Sequence, residues 1–191
     1  MTKLYITYGS NLNLEQMANR CPGAKVVGAS EIKDYKLTFR GPDNGCYATV
    51  EPCNGGSVPI LVWKITEIDE KELDIYEDWP NLYRKEIIEV IVNNETVTGM
   101  VYIMNEGRPL NKPSDKYYST ILDGYKSAGF DVEYLRRAVE SSTKNHDVNW
   151  IGKFLWINII IHKSTFYKFN LKIVPILIKY NYQILFKIRG L

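Results

Sequence analysis

Hydrophobic and polar positions along this chain alternate or recur in short runs, which Gly, Pro and Asn clusters separate. Alternation predicts a first strand at Leu4–Thr7 and a half-buried strand at Tyr35–Phe39. Residues 41–45 and 52–56 are predicted loops, and Asn93-Asn94 is predicted to join two strands as a hairpin. The other predicted strands cover about residues 25–30, 46–50, 58–65, 84–92 and 96–104.

Helices are predicted where apolar residues recur at helical spacing after a residue that can cap the first turn. The capping residues are Asn13, Thr66, Ser114 and Asp131. Gln16 occupies the capping-box position of the first helix, at residues 13–20. In the second helix, at residues 67–76, the apolar residues fall on one side; they are Ile65, Ile68, Leu73 and Tyr76. Because strands outnumber helices and one helix interrupts the series of strands, we predict a curved or barrel-like mixed α/β sheet flanked by helices.

Length and charge limit the possible classes of protein. The chain has 191 residues, enough for one well-buried domain and too few for two large ones. Residues 150–191 hold seven Lys or Arg and no Asp or Glu, although the net charge of the whole chain is only +2. Residues 1–149 therefore carry 17 basic and 22 acidic residues, a net charge of −5. Since this part lacks the basic patch of a nucleic-acid-binding protein, no nucleic-acid partner is expected.

The end of the chain differs in composition from the rest. We divide the sequence into a domain at residues 1–145 and a basic tail rich in Ile, Lys and Asn at residues 146–191. From residue 150 on, 31 of 42 residues are Ile, Lys, Phe, Asn, Tyr or Leu, whose codons can consist of A and T alone. This bias favours a read-through or frameshifted end. The alternatives are a basic membrane-surface segment and an extra strand or helix against the domain. The apolar stretch at residues 154–161 is too short to span a bilayer, so a membrane-spanning role is not expected.

Cysteine and histidine usage bears on compartment and metal chemistry. The three cysteines, Cys21, Cys46 and Cys53, form no CxxC pair and favour free thiols over a disulfide framework or a zinc site. Residues 1–145 contain no histidine, which argues against imidazole catalysis and a His-based metal site. The chain enters a predicted strand at once, without the apolar core of a signal peptide, so a cytoplasmic location is expected.

The first strand runs directly into a short polar turn, Tyr8-Gly9-Ser10-Asn11-Leu12. A Gly in such a turn lets the backbone approach a ligand closely because it has no Cβ. The helix that starts at Asn13 would gather free N–H groups at its positive end, a common arrangement for binding an anion or an oxyanion. Taken alone, the same residues fit an ordinary strand-to-helix turn equally well.

A carboxylate must perform any acid–base work in a domain without histidine. Glu77 is the candidate because Tyr76, Trp79 and Tyr83 surround it in sequence and Pro80 follows closely. Apolar surroundings raise the pKa of a carboxyl group toward neutrality, where a general base works best. The alternative is that Glu77 belongs to a solvated acidic face, because seven of the residues between positions 67 and 78 are Asp or Glu.

Three stretches of the chain stand out when they are taken together. The first is the Tyr8–Leu12 turn, and the second is Leu-Asp-Ile-Tyr-Glu-Asp-Trp-Pro-Asn-Leu-Tyr-Arg at residues 73–84. The third runs from Pro113-Ser114 to the Gly129-Phe130 break. In this order they resemble the γ-glutamylcyclotransferase-like family, which includes the AIG2-like proteins. The order Ser10-Asn11 is similar to the AIG2-like branch rather than to the glutathione-degrading branch, in which Leu usually follows Ser. Many members have Gly directly after the Glu, where this chain has Asp78; this difference bears on loop geometry and leaving group.

The resemblance implies a small mixed β-barrel flanked by helices and an enzyme that cyclises a γ-glutamyl amide. The α-amino nitrogen of the substrate would attack the γ-carbonyl, giving 5-oxoproline and a free amine or amino acid. Glu77 would be the catalytic residue, and neither a cofactor nor a metal would be needed. The implied substrate-binding residues are Tyr5, Tyr8, Gly9, Ser10, Asn11, Leu12 and Tyr117.

Several alternatives stay open at this point. Tyr117 could contact the substrate or pack in the core beside Ile121, and Tyr5 could contribute only its backbone. Arg84 could bind a carboxylate or pair with the acidic run. The same fold could also act on another acyl substrate, as in secondary metabolism, or serve as a non-catalytic small-molecule-binding module. The leaving amine and the oligomeric state have no signature in the sequence.

Overall fold

The structure, a computed structural model, describes residues 2–143. These residues lie within one compact unit, Met1–Asp147. The tail predicted at residues 146–191 lies outside the described residues.

Five strands form one mixed sheet with the order β2-β3-β1-β5-β4. They are β1 (Thr2–Thr7), β2 (Lys25–Arg40), β3 (Tyr47–Thr66), β4 (Tyr83–Val92) and β5 (Glu95–Met104). β1 is central: it pairs antiparallel with β3 and parallel with β5, while β2 pairs with β3 and β4 with β5 in antiparallel ladders. The helices are α1 (Leu14–Arg20), α2 (Glu67–Tyr76), α3 (Asp115–Ala128) and α4 (residues 132–143). The predicted mixed α/β class is confirmed.

The predicted barrel is not closed by backbone hydrogen bonds. β2 and β4 are the two edges of the sheet, and the hydrogen bonds that link their ends run from a side chain to a main-chain carbonyl. Ser30 Oγ donates to the Ile91 carbonyl, and Asn93 Nδ2 donates to the Val27 carbonyl at 3.3 Å. The sheet is therefore strongly curved but open, which corrects the barrel prediction.

Two strands are longer than the sequence pattern predicts. The predicted loop at residues 52–56 lies within β3, where residues 53–56 bulge out and have no paired residue on β2, while pairing continues on both sides of them. The register shifts between Lys33 and Tyr35, where Asp34 has φ 59° and accepts a 2.8 Å hydrogen bond from the Gly55 N–H. Because β1 covers β3 only at residues 61–66, the preceding half of β3 is an edge on that side and can accommodate proline.

Helix starts follow the predicted caps. Thr66 and Asp69 form a complete capping box at the start of α2, and the Ser114 side chain caps α3. Asn13 Oδ1 accepts the Gln16 N–H at 3.0 Å. The Gln16 side chain points instead to Thr120 Oγ1, at 3.5 Å, so the predicted capping box is only half formed.

The core fills the concave side of the sheet and the inner faces of the helices. α3 contributes Ile121, Gly124 and Tyr125, which are buried. Gly124 is the point of closest approach, because a Cβ built there would lie 2.6 Å from the Cβ of Leu12 and 2.7 Å from its carbonyl carbon. This contact holds the end of the Tyr8–Leu12 turn against α3.

Candidate active site

One cavity of about 350 Å³ opens where β1 ends. Its wall combines the Tyr8–Asn11 part of the turn, the end of α2, the start of β4 and side chains from β3, β5 and α3. Both Glu77 and the turn residue Gly9 line it. The structure thus brings together two parts of the sequence that are separated by more than sixty residues.

The turn itself is a single 3-10 turn at Ser10–Leu12 with Gly9 as its N-cap. Its first internal hydrogen bond is donated by Leu12 N–H to the Gly9 carbonyl at 3.0 Å. The N–H groups of Ser10 and Asn11 precede that bond and have no acceptor within the turn. A Cβ on Gly9 would lie 3.6 Å from Tyr117 Oη, so glycine leaves space between the turn and α3.

Glu77 follows the last residue of α2, and its N–H donates to the Leu73 carbonyl at 2.8 Å. This hydrogen bond fixes the backbone of Glu77 at the end of α2. From there the Glu77 side chain reaches the wall of the cavity. Asn11 Nδ2 donates to Glu77 Oε1 at 2.9 Å. The other Nδ2 hydrogen of Asn11 is donated to Tyr5 Oη at 2.8 Å. Asn11, only 2% exposed, therefore links the turn to the carboxyl group.

The surroundings of Glu77 change its acidity. Burial raises its pKa from the usual 4.5 to about 7, against the opposing effects of the Arg20 guanidinium and the Asn11 hydrogen bond. A carboxyl group with a pKa near 7 can accept a proton and return it near neutral pH.

Tyrosine side chains make up much of the cavity wall. Burial, reinforced by the negative charge of Glu77, raises the pKa of Tyr5, Tyr8, Tyr83 and Tyr117. The phenols are therefore neutral hydrogen-bonding groups near pH 7. Tyr8 Oη donates to the Tyr102 carbonyl at 2.6 Å, and Tyr83 Oη donates to the Ala48 carbonyl at 2.7 Å.

Tyr117 has a different hydrogen-bonding state from these two. Its Oη accepts the Ala48 N–H at 3.3 Å, and it also has a side-chain hydrogen bond with Ser10 of the turn. Its ring meets Tyr47 edge-to-face with the centroids 5.2 Å apart, and it lines the cavity. Tyr117 also packs against the core, in which Ile121, one turn further along α3, is fully buried, so both predicted roles for Tyr117 stay open.

Some residues considered in the sequence lie away from the cavity. Leu12 is fully buried in the core under α3 and does not line the cavity. Trp79 is 44% exposed and packs beside the Lys85 ammonium, 4.6 Å from its ring centroid; it does not surround Glu77. Arg84 pairs with Glu86 at 2.6 Å and donates to the Met104 carbonyl, so its role is structural and its partner is on its own strand.

Other residues of the site were not predicted. Arg20 ends α1, and its guanidinium carbon lies 3.3 Å from the centroid of the Tyr76 ring. Tyr76 Oη in turn hydrogen-bonds Ser10 Oγ at 2.9 Å. Tyr102 lines the cavity from β5. The position of Tyr76 next to Glu77 in the sequence could have identified it as a site residue. No sequence feature near Arg20 or Tyr102 indicates that they lie at the site.

Residues 2–143 show neither a metal-binding cluster nor a helix that could span a membrane. There, no group of three or more His, Cys, Asp or Glu side chains is arranged to hold a metal ion. Among the same residues, no helix combines the length and apolar character that a membrane span requires. The three cysteines are free thiols.

Glu77 should also make stability depend on pH. Because its pKa is raised on folding, the native state binds more protons than the unfolded state between pH 4.5 and about 7. The contribution of Glu77 to the free energy of unfolding is then highest below pH 4.5 and falls as pH rises to about 7. We expect Glu77→Gln to be more stable than wild type by about 2–3 kcal/mol at pH 8, and the difference to vanish near pH 4.5. Urea unfolding at both pH values measures this; equal stability at pH 8 would contradict the raised pKa.

The chain is similar in sequence and in fold to known proteins. Residues 5–127 match the family model described as gamma-glutamyl cyclotransferase, AIG2-like. The chain is 30% identical over 145 residues to gamma-glutamylcyclotransferase of Bos taurus, covering 70% of this chain and 76% of that protein. It is 31% identical over 144 residues to gamma-glutamylcyclotransferase of Homo sapiens, covering 69% and 74%. A solved structure named gamma-glutamyl cyclotransferase, 28% identical, superposes with a TM-score of 0.62 over 72% of this chain and 86% of that one.

These matches place the mixed α/β fold of this chain in a class of cyclotransferase-like proteins. The chain belongs to the AIG2-like gamma-glutamyl cyclotransferase family. Family membership supports a cyclotransferase-like function.

Proposed function

We propose that this protein is an enzyme that cyclises a small γ-glutamyl amide to 5-oxoproline and releases an amine or amino acid. The observation that carries the proposal is the placement of Glu77. Its carboxyl group has a pKa of about 7, lines the cavity and is held by Asn11 of the glycine turn. A proton acceptor and a polar backbone turn therefore face one small cavity.

The first step would be removal of a proton from the α-ammonium group of the substrate by the Glu77 carboxylate. The freed α-nitrogen would attack the γ-carbonyl carbon and form the carbon–nitrogen bond of the five-membered ring. Because nucleophile and electrophile belong to one molecule, the enzyme has only to hold the folded conformer and transfer protons. The raised pKa of Glu77 supports this role, since the group is about half ionised near pH 7.

In the second step, the tetrahedral intermediate would collapse and break the original amide bond. The attacking nitrogen, which becomes positively charged as the ring forms, would pass its second proton to Glu77, and Glu77 would deliver both protons in turn to the leaving nitrogen, so that the amine departs as an ammonium ion. The backbone N–H groups of Ser10 and Asn11 are assigned to the developing oxyanion or to the α-carboxylate, and the Tyr117 hydroxyl to a substrate oxygen. No cofactor takes part in this sequence of steps, because every proton removed from the α-nitrogen can be delivered to the leaving nitrogen.

We assign this activity to the cytoplasm. Three free thiols, two of them buried, support a reducing compartment. The partner is a small γ-glutamyl compound, in keeping with a cavity of about 350 Å³.

The experiment that tests the function is a substrate panel with mass detection of 5-oxoproline. The panel contains three classes of compound: γ-glutamyl amino acids such as γ-glutamyl-alanine, the γ-glutamyl-lysine isopeptide, and γ-glutamyl monoamines. Each substrate is paired with its N-acetylated form, in which the α-nitrogen cannot attack. We expect 5-oxoproline from at least one free substrate and from none of the blocked ones.

The products separate cyclisation from hydrolysis. Glutamate as the main product, with ¹⁸O from labelled water, would identify an amidase instead. Absence of turnover across the panel, with binding of a γ-glutamyl compound by calorimetry, would favour a non-catalytic binding module.

A further inference from the structure

Arg20 does not line the cavity, but it contacts two residues that do. Its Nη1 donates to Asn11 Oδ1, and its guanidinium stacks on the Tyr76 ring. Stacking places a planar cation at a fixed distance and orientation, because the guanidinium has few alternative positions over an aromatic face. Arg20 is half-buried at the end of α1.

The bond from Arg20 determines which end of the Asn11 carboxamide faces Glu77. A carboxamide has an accepting oxygen on one side and a donating NH₂ group on the other. With Oδ1 engaged by the guanidinium, Nδ2 must point toward Glu77 Oε1 and Tyr5 Oη, at 2.9 and 2.8 Å. Reversal would place an oxygen against the carboxylate and an NH₂ group against a cation.

We propose that Arg20 is a positioning residue of this site, which locks the Asn11 carboxamide so that Nδ2 rather than Oδ1 faces Glu77. The consequence for catalysis rests on the proposed function. In the locked orientation the Asn11 amide donates a hydrogen bond to an oxygen of Glu77 and cannot accept one from it. In the reversed orientation the Asn11 oxygen would accept from protonated Glu77 and stabilise the inactive form of the base.

The charges around Glu77 also support a role for Arg20. The ionisable groups that face Glu77 from the surrounding elements are Tyr5, Tyr8, Arg20, Tyr83, Tyr102 and Tyr117. The phenols are neutral near pH 7 because burial raises the pKa of each. Asp78 adjoins Glu77 but is exposed, and its Oδ1 accepts from Asn81. Within residues 2–143, Arg20 is thus the positive charge that acts on Glu77.

The first test is independent of catalysis. Nuclear Overhauser effects between the Asn11 Hδ2 protons and the Tyr5 ring protons report the amide orientation in the free protein. We expect them in wild type and in Arg20→Lys, which keeps a charged donor, and expect their loss in Arg20→Met. Arg137→Met, which removes an exposed arginine on α4, is the matched control and should keep them. Persistence of these effects in Arg20→Met would overturn the proposal.

The second test follows Glu77 itself, by ¹³C titration of its carboxyl carbon in the same variants. In Arg20→Met we expect the midpoint to move upward by about 1 pH unit, with Arg20→Lys restoring at least half of the difference. An upward midpoint without loss of the amide contacts would show a charge effect alone and overturn the positioning role. Neither measurement uses a substrate, so failure of the substrate panel would leave this result interpretable. Thermal unfolding of each variant confirms that it is folded.

Discussion

In Glu77→Gln, we expect 5-oxoproline formation to fall by about two to four orders of magnitude, the contribution typical of a positioned general acid–base group. Gln retains the size of the side chain and can still accept from Asn11 Nδ2, so the cavity should keep its shape. What is lost is the ability to accept and return a proton. The measurement is kcat/KM for the best substrate of the panel from pH 5 to 9. In wild type the rising limb should have a midpoint near 7, because the pKa of Glu77 is about 7, and the residual activity of the variant should lack this limb.

The matched control is Glu72→Gln, which makes the same change of charge on the exposed side of α2. It should retain activity within about two-fold of wild type, because an exposed charge is screened by solvent. If Glu77→Gln were as active as this control, Glu77 would not be the base. Combined with the expected rise in stability at pH 8, loss of activity in Glu77→Gln would show that the carboxylate is kept at a cost to folding.

The local features of this fold follow from short stretches of sequence. The strand at Leu4–Thr7, the Gly9 turn and the helix start at Asn13 could all be predicted, since each depends on residues within a few positions. The cap at Thr66 was predictable for the same reason. Its side chain and that of Asp69 satisfy each other's backbone N–H groups in a contact that spans only three residues.

The direction of α2 was not predictable from its own residues. Ile68 was grouped with the inward-facing apolar residues but is 73% exposed, while the neighbouring Asp69 is buried. Asp69 can be buried because it also accepts the N–H of Gly23, from a distant loop, at 3.2 Å. A long-range partner for a carboxylate thus overrides the helical pattern, and such a partner leaves no periodic signal.

The residues of the candidate site also divide into those that local sequence predicts and those that depend on long-range packing. Glu77 and the glycine turn could be named because each lies in a recognisable local stretch. Arg20 and Tyr102 could not, because their positions depend on how α1 packs and on the parallel pairing of β1 with β5. Parallel neighbours far apart in sequence have no turn between them to fix their register. The long β2 and β3 were divided for a related reason: Pro52 and Gly56 usually end a strand, but here β3 bulges at residues 53–56 and pairs with β2 again from Ser57.

Gly124→Ala is expected to destabilise the protein by about 2 kcal/mol, although the same change in an exposed helix would stabilise it by about 1 kcal/mol. The new Cβ would lie 2.6 Å from Leu12 Cβ and 2.8 Å from the Asn13 nitrogen, so α3 and the turn must separate. Backbone atoms cannot move aside as a flexible side chain can. Urea unfolding followed by circular dichroism measures the loss of stability.

The same substitution should also impair the site, because α3 carries Tyr117 and the displaced turn carries Asn11. A shift of these two groups relative to Glu77 should lower kcat/KM by about ten-fold or more, even at temperatures where the variant is fully folded. Ser119→Ala, on the exposed side of α3, is the control and should leave stability and activity close to wild type. If Gly124→Ala were as stable and as active as that control, the turn would tolerate movement of α3, and the close contact at Gly124 would not be what holds the turn in position.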